Sequence, residues 1–339
     1  MKFTEAYTYD DLMLVPKYST IRSRKQPDVS TRLGTLNLEV PIVSAPMNTI
    51  TEGDMLHLMR GAGGAAVMHR FISPEDQAIM IGSPPRYGTF AAIGVDGAAE
   101  ERAEILYAAG VRNFCIDAAF GNNELSIDAV KTLRGKFDFP INIMAGNVCT
   151  REGAERLVEA GANIIRVGIG PGSMCKTRLV TGHGVPQLTA INDCQVEGAF
   201  VVADGGIRSS GDIVKALAMG ADAVMIGGLL AGSAATPGQL YVDMKTGEQY
   251  KVFHGMASEA GRENWFGADA TQFVPEGETT TVPYKGDTRP IIDNLVGGLR
   301  VGLSISGAKN LRELRQTAEW VRVTDNGRIE GTPNRKMFR

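Results

Sequence analysis

Residues 157–170 read LVEAGANIIRVGIG, and this stretch contains the unit that decides the predicted fold. The end of a helical pattern leads to Gly161, and an almost wholly apolar run follows directly. Glycine closes a helix well because it adopts the left-handed conformation without the steric cost of a Cβ atom. A strand that is apolar on both faces is typical of a parallel sheet covered by helices. The stretch therefore predicts a helix that leads into a buried parallel strand.

The same unit of helix end, glycine and apolar run recurs at residues 107–119 and 217–228. In all, eight apolar runs are candidate strands: 40–47, 65–70, 89–95, 113–119, 141–148, 164–170, 200–206 and 223–228. Three residues suited to the N-cap position precede predicted helices: Ser73, Thr150 and Ser210. Eight βα units in regular succession favour a closed barrel over an open doubly wound sheet. We therefore predict an α/β protein with a single (βα)8 TIM barrel over residues 1–339, with an irregular segment 12–37 lying against it.

The regular spacing breaks in two places, and both are long loops that follow a predicted strand. Residues 170–187, GPGSMCKTRLVTGHGVPQ, follow the sixth strand and contain a cysteine. Residues 231–290 follow the eighth strand, and within them 239–255 predict a hairpin that turns at Lys245–Gly247. Loops after barrel strands lie over the face on which active sites are built. We therefore expect a mobile cysteine loop and a lid insertion over the same mouth.

Composition and charge exclude several classes of function. The net charge is −3, with acidic and basic residues interspersed, so the chain has no electrostatic footprint for nucleic acid or an anionic membrane. No apolar run approaches the roughly 20 residues that cross a bilayer. The polar, acidic N-terminus does not resemble a signal peptide. Because the four cysteines are scattered without a paired spacing, we expect a cytoplasmic protein without disulfides.

Glycine pairs end the seventh and eighth predicted strands, at Asp204-Gly205-Gly206 and Gly227-Gly228. Such pairs let backbone N–H groups approach a phosphate, and barrels often bind phosphate after these two strands. The alternative is that the glycines only make tight turns. Asp204 is well placed to accept hydrogen bonds from ribose hydroxyls. The pattern predicts a phosphorylated ribose, such as a nucleotide, as the ligand.

Cys175 differs from the other cysteines because no apolar period contains it. Glycines on both sides make its loop open to a ligand, and the cations Lys176 and Arg178 would favour the nucleophilic thiolate. Three cysteines, by contrast, are expected to be small buried residues: Cys115, Cys149 and Cys194. We predict that Cys175 is a nucleophile rather than a packing residue.

The cysteine loop, GIGPGSMCKTR followed by TGHGVPQ, resembles the catalytic loop of the IMP dehydrogenase/GMP reductase family. Further motifs carry the resemblance over nearly the whole chain: YDDLMLVP, SAPMNTITE, IDAAFGNN, MAGNV, VVADGGIRSSGDI, MIGG, HGM, PEG and GGLR. The resemblance implies a (βα)8 barrel, usually a homotetramer, that binds purine 5′-monophosphates. It also implies a covalent thioimidate between the loop cysteine and purine C2.

Within the family, the sequence resembles GMP reductase more than IMP dehydrogenase. Dehydrogenases activate water with an Arg-Tyr pair on a flap, but residues 257–275 contain none, and they form a segment shorter than in dehydrogenases. Arg86-Tyr87 lies before the third predicted strand and is expected to be structural. No regulatory CBS modules interrupt the second and third strands, and 311–323 also resembles a reductase. SAPMNTITE, VPEGE and VPYKG match dehydrogenase versions, so IMP dehydrogenase using NAD, and a non-catalytic purine nucleotide sensor, stay as alternatives.

The resemblance assigns roles residue by residue. The catalytic residues are Cys175, Thr177 and Glu276, although Glu276 could instead be an exposed lid residue. The substrate-binding residues are Ser173, Asp204, Gly205, Gly206, Gly227, Gly228, Gly255, Met256, Ala257 and Gly277. The residues expected at the NADPH cofactor are Arg70, Asp117, Ala118, Ala119, Ile169 and Gly170. Main-chain carbonyls of Gly170, Gly172 and Cys175 are expected to bind K⁺. Loop packing is favoured over proton transfer for His183, whereas His254 could contact ligand or pack the hairpin.

Overall fold

The computed structural model describes residues 4–82, 85, 87–137, 140–261 and 274–331. Three short strands precede the barrel: β1 (Leu12–Leu14), β2 (Thr31–Leu33) and β3 (Leu36–Leu38). Strand β1 pairs antiparallel with Trp320–Arg322 near the other end of the chain. Strands β2 and β3 form a hairpin. The expectation of an irregular segment at 12–37 is therefore wrong at its two ends, where residues find strand partners locally and far along the chain. Residues 15–30 between them form no helix or strand.

Eight parallel strands form a closed barrel, which confirms the predicted fold class. They are β4 (Ile42–Ser44), β5 (Ala65–Met68), β6 (Thr89–Ile93), β7 (Asn113–Asp117), β8 (Asn142–Val148), β9 (Ile164–Val167), β10 (Phe200–Asp204) and β11 (Ala223–Ile226). The barrel closes where β11 pairs with β4, with Val224 opposite Ile42. Each predicted run contains one barrel strand. Most runs extend past their strand, since the chain turns into a loop at residues such as Gly168, whose φ is +147°.

Helices follow the strands and cover the outside of the barrel. They are α1 (Gly53–Gly61), α2 (Pro74–Ile81), α3 (Ala99–Ala108), α4 (Glu124–Lys136), α5 (Arg151–Glu159), α6 (Thr177–Thr181), α7 (Gln187–Asp193), α8 (Ser210–Ala218), α9 (Arg289–Ile305), α10 (Leu311–Thr317) and α11 (Asp325–Glu330). Ser73 and Thr150 cap α2 and α5 as predicted. Ser210 does not cap α8. Its neighbour Ser209 has the extended backbone of an N-cap and accepts the Asp212 N–H, so Ser210 is already helical.

Two apolar layers hold the barrel together. Side chains such as Phe90, Met144 and Met225 fill its interior, and a second layer lies between the strands and the helices. The β2–β3 hairpin belongs to the interior layer through Leu33 and Leu38. Because the Thr35 N–H in its turn donates a hydrogen bond at 3.0 Å to Oδ1 of Asn142, the first residue of β8, the hairpin closes the N-terminal end of the barrel. The opposite, C-terminal end is left for ligand.

A three-stranded antiparallel sheet lies within the predicted lid. Its strands are β12 (Tyr241–Val242), β13 (Gln249–His254) and β14 (Thr279–Pro283). The predicted hairpin is present, since Tyr241 pairs with Tyr250 on either side of the turn. Strand β14 was not predicted. It brings the segment after residue 273 back to the mouth of the barrel, with Thr279 opposite His254.

Among the helices that the structure describes, none combines the length and the apolar character that a membrane span requires. Between β5 and β6 the chain has only residues 69–88, which contain α2.

Candidate active site

A cavity of about 530 Å³ opens at the C-terminal end of the barrel. Fifteen of the predicted site residues line it: Arg70, Asp117, Ala118, Ala119, Gly170, Gly172, Cys175, Thr177, Asp204, Gly205, Gly255, Met256, Ala257, Glu276 and Gly277. Residues at the ends of the three barrel strands β5, β7 and β10, the cysteine loop and the lid therefore share one space. A volume of this size suits a ligand as large as a nucleotide.

The other predicted site residues lie beside this cavity rather than in its wall. Ser173 and Gly228 face each other, since a Cβ atom on Gly228 would lie 3.0 Å from Ser173 Oγ. Gly206 packs against the ring of Tyr9, and a Cβ on Gly227 would lie 3.2 Å from Met47 Sδ. The glycine pairs after β10 and β11 thus bring main chain close to the cysteine loop. A fifth residue, Ile169, is buried in the core.

The three predicted catalytic side chains form a continuous chain of contacts. Cys175 Sγ lies 3.2 Å from Thr177 Oγ1, which lies 2.8 Å from Glu276 Oε2. The threonine hydroxyl donates its single proton to the carboxylate and accepts from the thiol. Since 99 residues separate Thr177 from Glu276, only the folded lid brings them together. Through this chain of contacts, a proton can pass between the Glu276 carboxyl group and a ligand atom that lies next to Cys175 Sγ.

Backbone hydrogen bonds hold Glu276 against the cysteine loop. The Lys176 N–H donates to the Glu276 carbonyl at 2.7 Å, and the Glu278 N–H donates to the Met174 carbonyl at 2.9 Å. Cys175 and Gly277 lie opposite each other in this short antiparallel bridge. A hydrogen-bonded ladder fixes the register of the two segments, so it sets which lid side chain faces the sulfur.

The two cations beside the cysteine have partners elsewhere. Lys176 Nζ lies 2.5 Å from Glu278 Oε1. The Arg178 guanidinium donates from Nε to the Ile169 carbonyl at 3.0 Å and from Nη2 to the Val185 carbonyl at 2.7 Å. Their hydrogen bonds therefore do not support the expectation that these cations favour a thiolate at Cys175. The polar group that contacts the sulfur is the Thr177 hydroxyl.

Cys175 is nevertheless the one exposed cysteine among the four. Cys115 and Cys194 are buried as predicted, and burial raises the pKa of each thiol to about 12. Cys149 is half-buried, and burial raises its thiol pKa too. Exposure and contact with a hydroxyl thus distinguish Cys175 from the other thiols.

Sequence reasoning missed a buried arginine at the centre of the barrel mouth. Arg166 is 5% exposed, lines the cavity, and donates from Nη2 to Asp117 Oδ1 at 2.7 Å. Its Nε contacts the side chain of Asn147 and lies 3.4 Å from Asp204 Oδ2. An arginine inside an apolar strand was the available signal, because a buried guanidinium requires carboxylate or amide partners.

Arg166 joins the two predicted halves of the site. On the nucleotide side, Asp204 Oδ2 also accepts from Asn147 Nδ2 at 2.8 Å. Burial raises the pKa of the Asp204 carboxyl, although the Arg166 guanidinium and the Asn147 amide oppose the shift. On the cofactor side, Arg70 Nε lies 3.6 Å from Asp117 Oδ2. Both carboxylates therefore share one buried cation.

None of the histidines lines the cavity formed by the described residues. His183 is exposed, and its Nδ1 contacts the Thr181 carbonyl at 2.7 Å, which agrees with loop packing. His254 lies in β13 and is 4% exposed, and burial lowers its pKa. The titratable side chains in the cavity wall are therefore carboxyl groups, arginines and the Cys175 thiol.

Two sequence expectations fall partly or wholly outside the described residues. The segment without an Arg-Tyr pair, 257–275, includes 262–273, and Arg86 of the Arg-Tyr pair is also outside them. Tyr87 is described, and its hydroxyl donates to the Asn37 carbonyl at 2.8 Å, as a structural residue would. In the described part of the chain, no cluster of three or more His, Cys, Asp or Glu residues is arranged to hold a metal ion.

Comparisons with known proteins point to one family. The family described as IMP dehydrogenase / GMP reductase domain matches residues 6–334. The inosine-5′-monophosphate dehydrogenase of Bacillus subtilis (strain 168) is 44% identical over 253 residues, which cover 72% of this chain and 51% of that protein. The GMP reductase of Leishmania donovani is 30% identical over 471 residues, covering 95% of each chain. The chain therefore spans about half the length of the Bacillus relative and nearly all of the Leishmania one.

A solved structure agrees with this result. The crystal structure of a GMP reductase variant from Trypanosoma brucei in complex with guanosine 5′-monophosphate superposes with a TM-score of 0.91. That protein is 29% identical in sequence, and the match covers 98% of both chains. The barrel is thus that of one family in which both enzyme names occur.

Proposed function

The chain belongs to the IMP dehydrogenase/GMP reductase family, whose members are oxidoreductases acting on purine nucleotides, and we propose that this protein is a GMP reductase. Its reaction is the NADPH-dependent reductive deamination of GMP to IMP and ammonia. The observation that carries the proposal is the Thr177 hydroxyl, which contacts both Cys175 Sγ and the Glu276 carboxylate. A proton donor at this place suits the departure of an amine from the carbon that the sulfur attacks.

In the proposed reaction, Cys175 Sγ forms a bond to purine C2 of GMP while the electron pair of the C2–N3 double bond moves to N3. The thiol proton passes through Thr177 to the Glu276 carboxylate. Glu276, acting through Thr177, supplies the proton with which the 2-amino group leaves as ammonia, and a thioimidate at Cys175 remains. When bound, the nicotinamide cofactor supplies the hydride that adds to C2. Sγ then leaves with the electron pair of the C–S bond, and IMP is released. Each step is assigned to a side chain that lines the cavity.

The described residues fit both the nucleotide and the cofactor. Asp204 is the proposed ribose acceptor, and the N–H groups at the glycine pairs with Ser173 are the proposed phosphate site. Asp117 and Arg70 lie on the other side of the same cavity. There the buried Arg166 holds the Asp117 carboxylate by a hydrogen bond, so that the carboxylate could accept hydrogen bonds from ribose hydroxyls or an amide group. The nicotinamide would therefore lie next to purine C2. Met256 and Gly255 would border the purine.

We include a potassium ion in the proposal because main-chain carbonyl groups of the cysteine loop are available as ligands. Among the described residues, the carbonyls of Gly170 and Cys175 accept no hydrogen bond, while that of Gly172 accepts the Cys175 N–H at 3.0 Å. Oxygen ligands of this kind suit a hard cation. The homotetramer and the cytoplasmic location stay predictions.

The second candidate is IMP dehydrogenase using NAD, which the identity to the Bacillus relative favours. It would need a group that activates water, and residues 257–275 contain no Arg-Tyr pair. Purified protein should be mixed with GMP and NADPH, and separately with IMP and NAD, while the absorbance of the reduced cofactor is followed. Consumption of NADPH with release of ammonia supports the reductase. Formation of NADH from IMP would overturn it, and GMP binding without either reaction would indicate the sensor.

A further inference from the structure

Arg178 has contacts that neither the proposed chemistry nor the sequence analysis uses. It follows Thr177 directly, is half-buried, and donates to the Ile169 and Val185 carbonyls at 3.0 and 2.7 Å. Ile169 lies just before the cysteine loop of residues 170–187, and Val185 lies near its end. One side chain thus joins the two ends of the loop, which we call the loop neck.

The main chain of the loop neck is shaped around the arginine side chain. A Cβ atom on Gly170 would lie 2.4 Å from Arg178 Cγ, and one on Gly184 would lie 2.6 Å from Arg178 Nε. Both glycines have positive φ values, +82° and +156°. The glycines therefore allow the backbone to approach the guanidinium and its aliphatic stem from both sides.

Thr177 lies between two anchors because of this arrangement. On one side, the Lys176 N–H is bonded to the Glu276 carbonyl of the lid. On the other side, Arg178 is bonded to the loop neck, which begins at the end of β9. Movement of either anchor would displace the Thr177 hydroxyl from Cys175 Sγ or from the Glu276 carboxylate.

We propose that Arg178 is a positioning residue that closes the loop neck and so holds Thr177 between Cys175 and Glu276. The predicted effect on kcat rests on the proposed function, whereas the predicted effect on the structure of the loop does not. A guanidinium presents several N–H donors in a rigid fork and can span two carbonyls, whereas an ammonium is a compact point charge on a flexible stem. Lysine should therefore restore the function only in part.

The experiment compares Arg178→Met, Arg178→Lys and wild type by hydrogen exchange of the amides at 172–180. Loss of the neck should remove protection from the Cys175 and Lys176 amides, both of which are hydrogen-bonded in the closed loop. With GMP and NADPH, kcat should fall by about 10²-fold in Arg178→Met while KM for GMP changes little, because a displaced catalytic group affects the reaction more than ground-state binding. Arg178→Lys should be intermediate in both measurements.

Arg134→Met is the matched control. Arg134 also donates to two main-chain carbonyls, of Gly161 and Ile141, but it lies on α4 away from the cavity. It should lower the midpoint of thermal unfolding without changing loop protection. Wild-type loop protection in Arg178→Met, or an equal loss in Arg134→Met, would overturn the proposal. If Arg178→Met does not fold, wild-type loop protection in Arg178→Lys overturns it in the same way. Failure of wild type to reduce GMP would overturn the proposed function alone, since hydrogen exchange needs no turnover.

Discussion

At the scale of single residues, the proposed chemistry depends on the Thr177 hydroxyl. It donates its one proton to the Glu276 carboxylate and accepts from the Cys175 thiol. Its contact with Glu276 orients the hydroxyl, and in the proposed reaction its contact with Cys175 Sγ would place it beside the carbon to which the sulfur bonds. The buried thiols, in contrast, have pKa values raised by burial and no such neighbour. Chemistry at this site therefore requires both the loop and the lid.

Replacing the lid carboxylate tests its role as a proton donor. Glu276→Gln should lower kcat with GMP by about 10²- to 10⁴-fold, the range expected for loss of a general acid. Binding of GMP, followed by calorimetry, should change little because the hydrogen bond to Thr177 can be kept by the amide. Glu278→Gln, two residues further along the same segment, is the matched control. It should lower kcat only a few-fold, since an exposed ion pair such as Lys176–Glu278 is worth about 0–1 kcal/mol. Equal kcat values in the two variants would refute the role of Glu276.

The raised pKa of the Asp204 carboxyl leads us to expect that nucleotide binding depends on pH. Burial raises the pKa of its carboxyl, so the group takes up a proton at a higher pH than an ordinary aspartate when the solution is acidified. A protonated carboxyl accepts ribose hydroxyls less well, and KM for GMP should rise as the pH falls. Arg166→Met removes the opposing cation, so the rise should begin at a higher pH than in wild type. KM measured between about pH 5 and pH 8 checks this, and the same onset in both proteins would contradict it.

Individual residues could be predicted only in part from the sequence. Cys175 was identifiable because it lies outside any apolar period, among glycines. Thr177 and Glu276 came from the family resemblance, since no local pattern joins residues that are 99 positions apart. Arg166 was missed because the strand was judged by its apolar neighbours, and the partners of a buried charge become visible only when the barrel closes.

At the scale of elements, short apolar runs located every barrel strand, because local backbone preference and burial agree there. The elements that were missed depend on contacts with other parts of the chain. Strand β14 pairs with β13 within the lid, and the β2–β3 hairpin closes the N-terminal end of the barrel. Neither has a strong pattern of its own, so tertiary partners decide that they form.

The β2–β3 hairpin should contribute to stability and not to catalysis. Leu33 is fully buried in the barrel interior, at the end away from the cavity. Leu33→Ala should lower the free energy of unfolding by about 2–5 kcal/mol, the usual cost of such a truncation in a core. Urea denaturation followed by circular dichroism measures this, with Ile79→Ala on the exposed face of α2 as the control. An unchanged midpoint, or a large change in KM for GMP, would contradict the assignment.

At the scale of the whole molecule, the barrel supplies two carboxylates joined by one buried arginine, and the loops supply Cys175, Thr177 and Glu276. The barrel part is rigid because each charged group has partners within the strands. The loop part is assembled from two insertions that meet through the bridge between Cys175 and Gly277, the Thr177–Glu276 hydrogen bond and the Lys176–Glu278 ion pair.

The most direct test is mass spectrometry of protein quenched during turnover with GMP and NADPH. The account predicts an adduct on the peptide that contains Cys175, with the mass of GMP less ammonia, and no such adduct in Cys175→Ala. An adduct on another residue, or ammonia release by Cys175→Ala at the wild-type rate, would contradict the account.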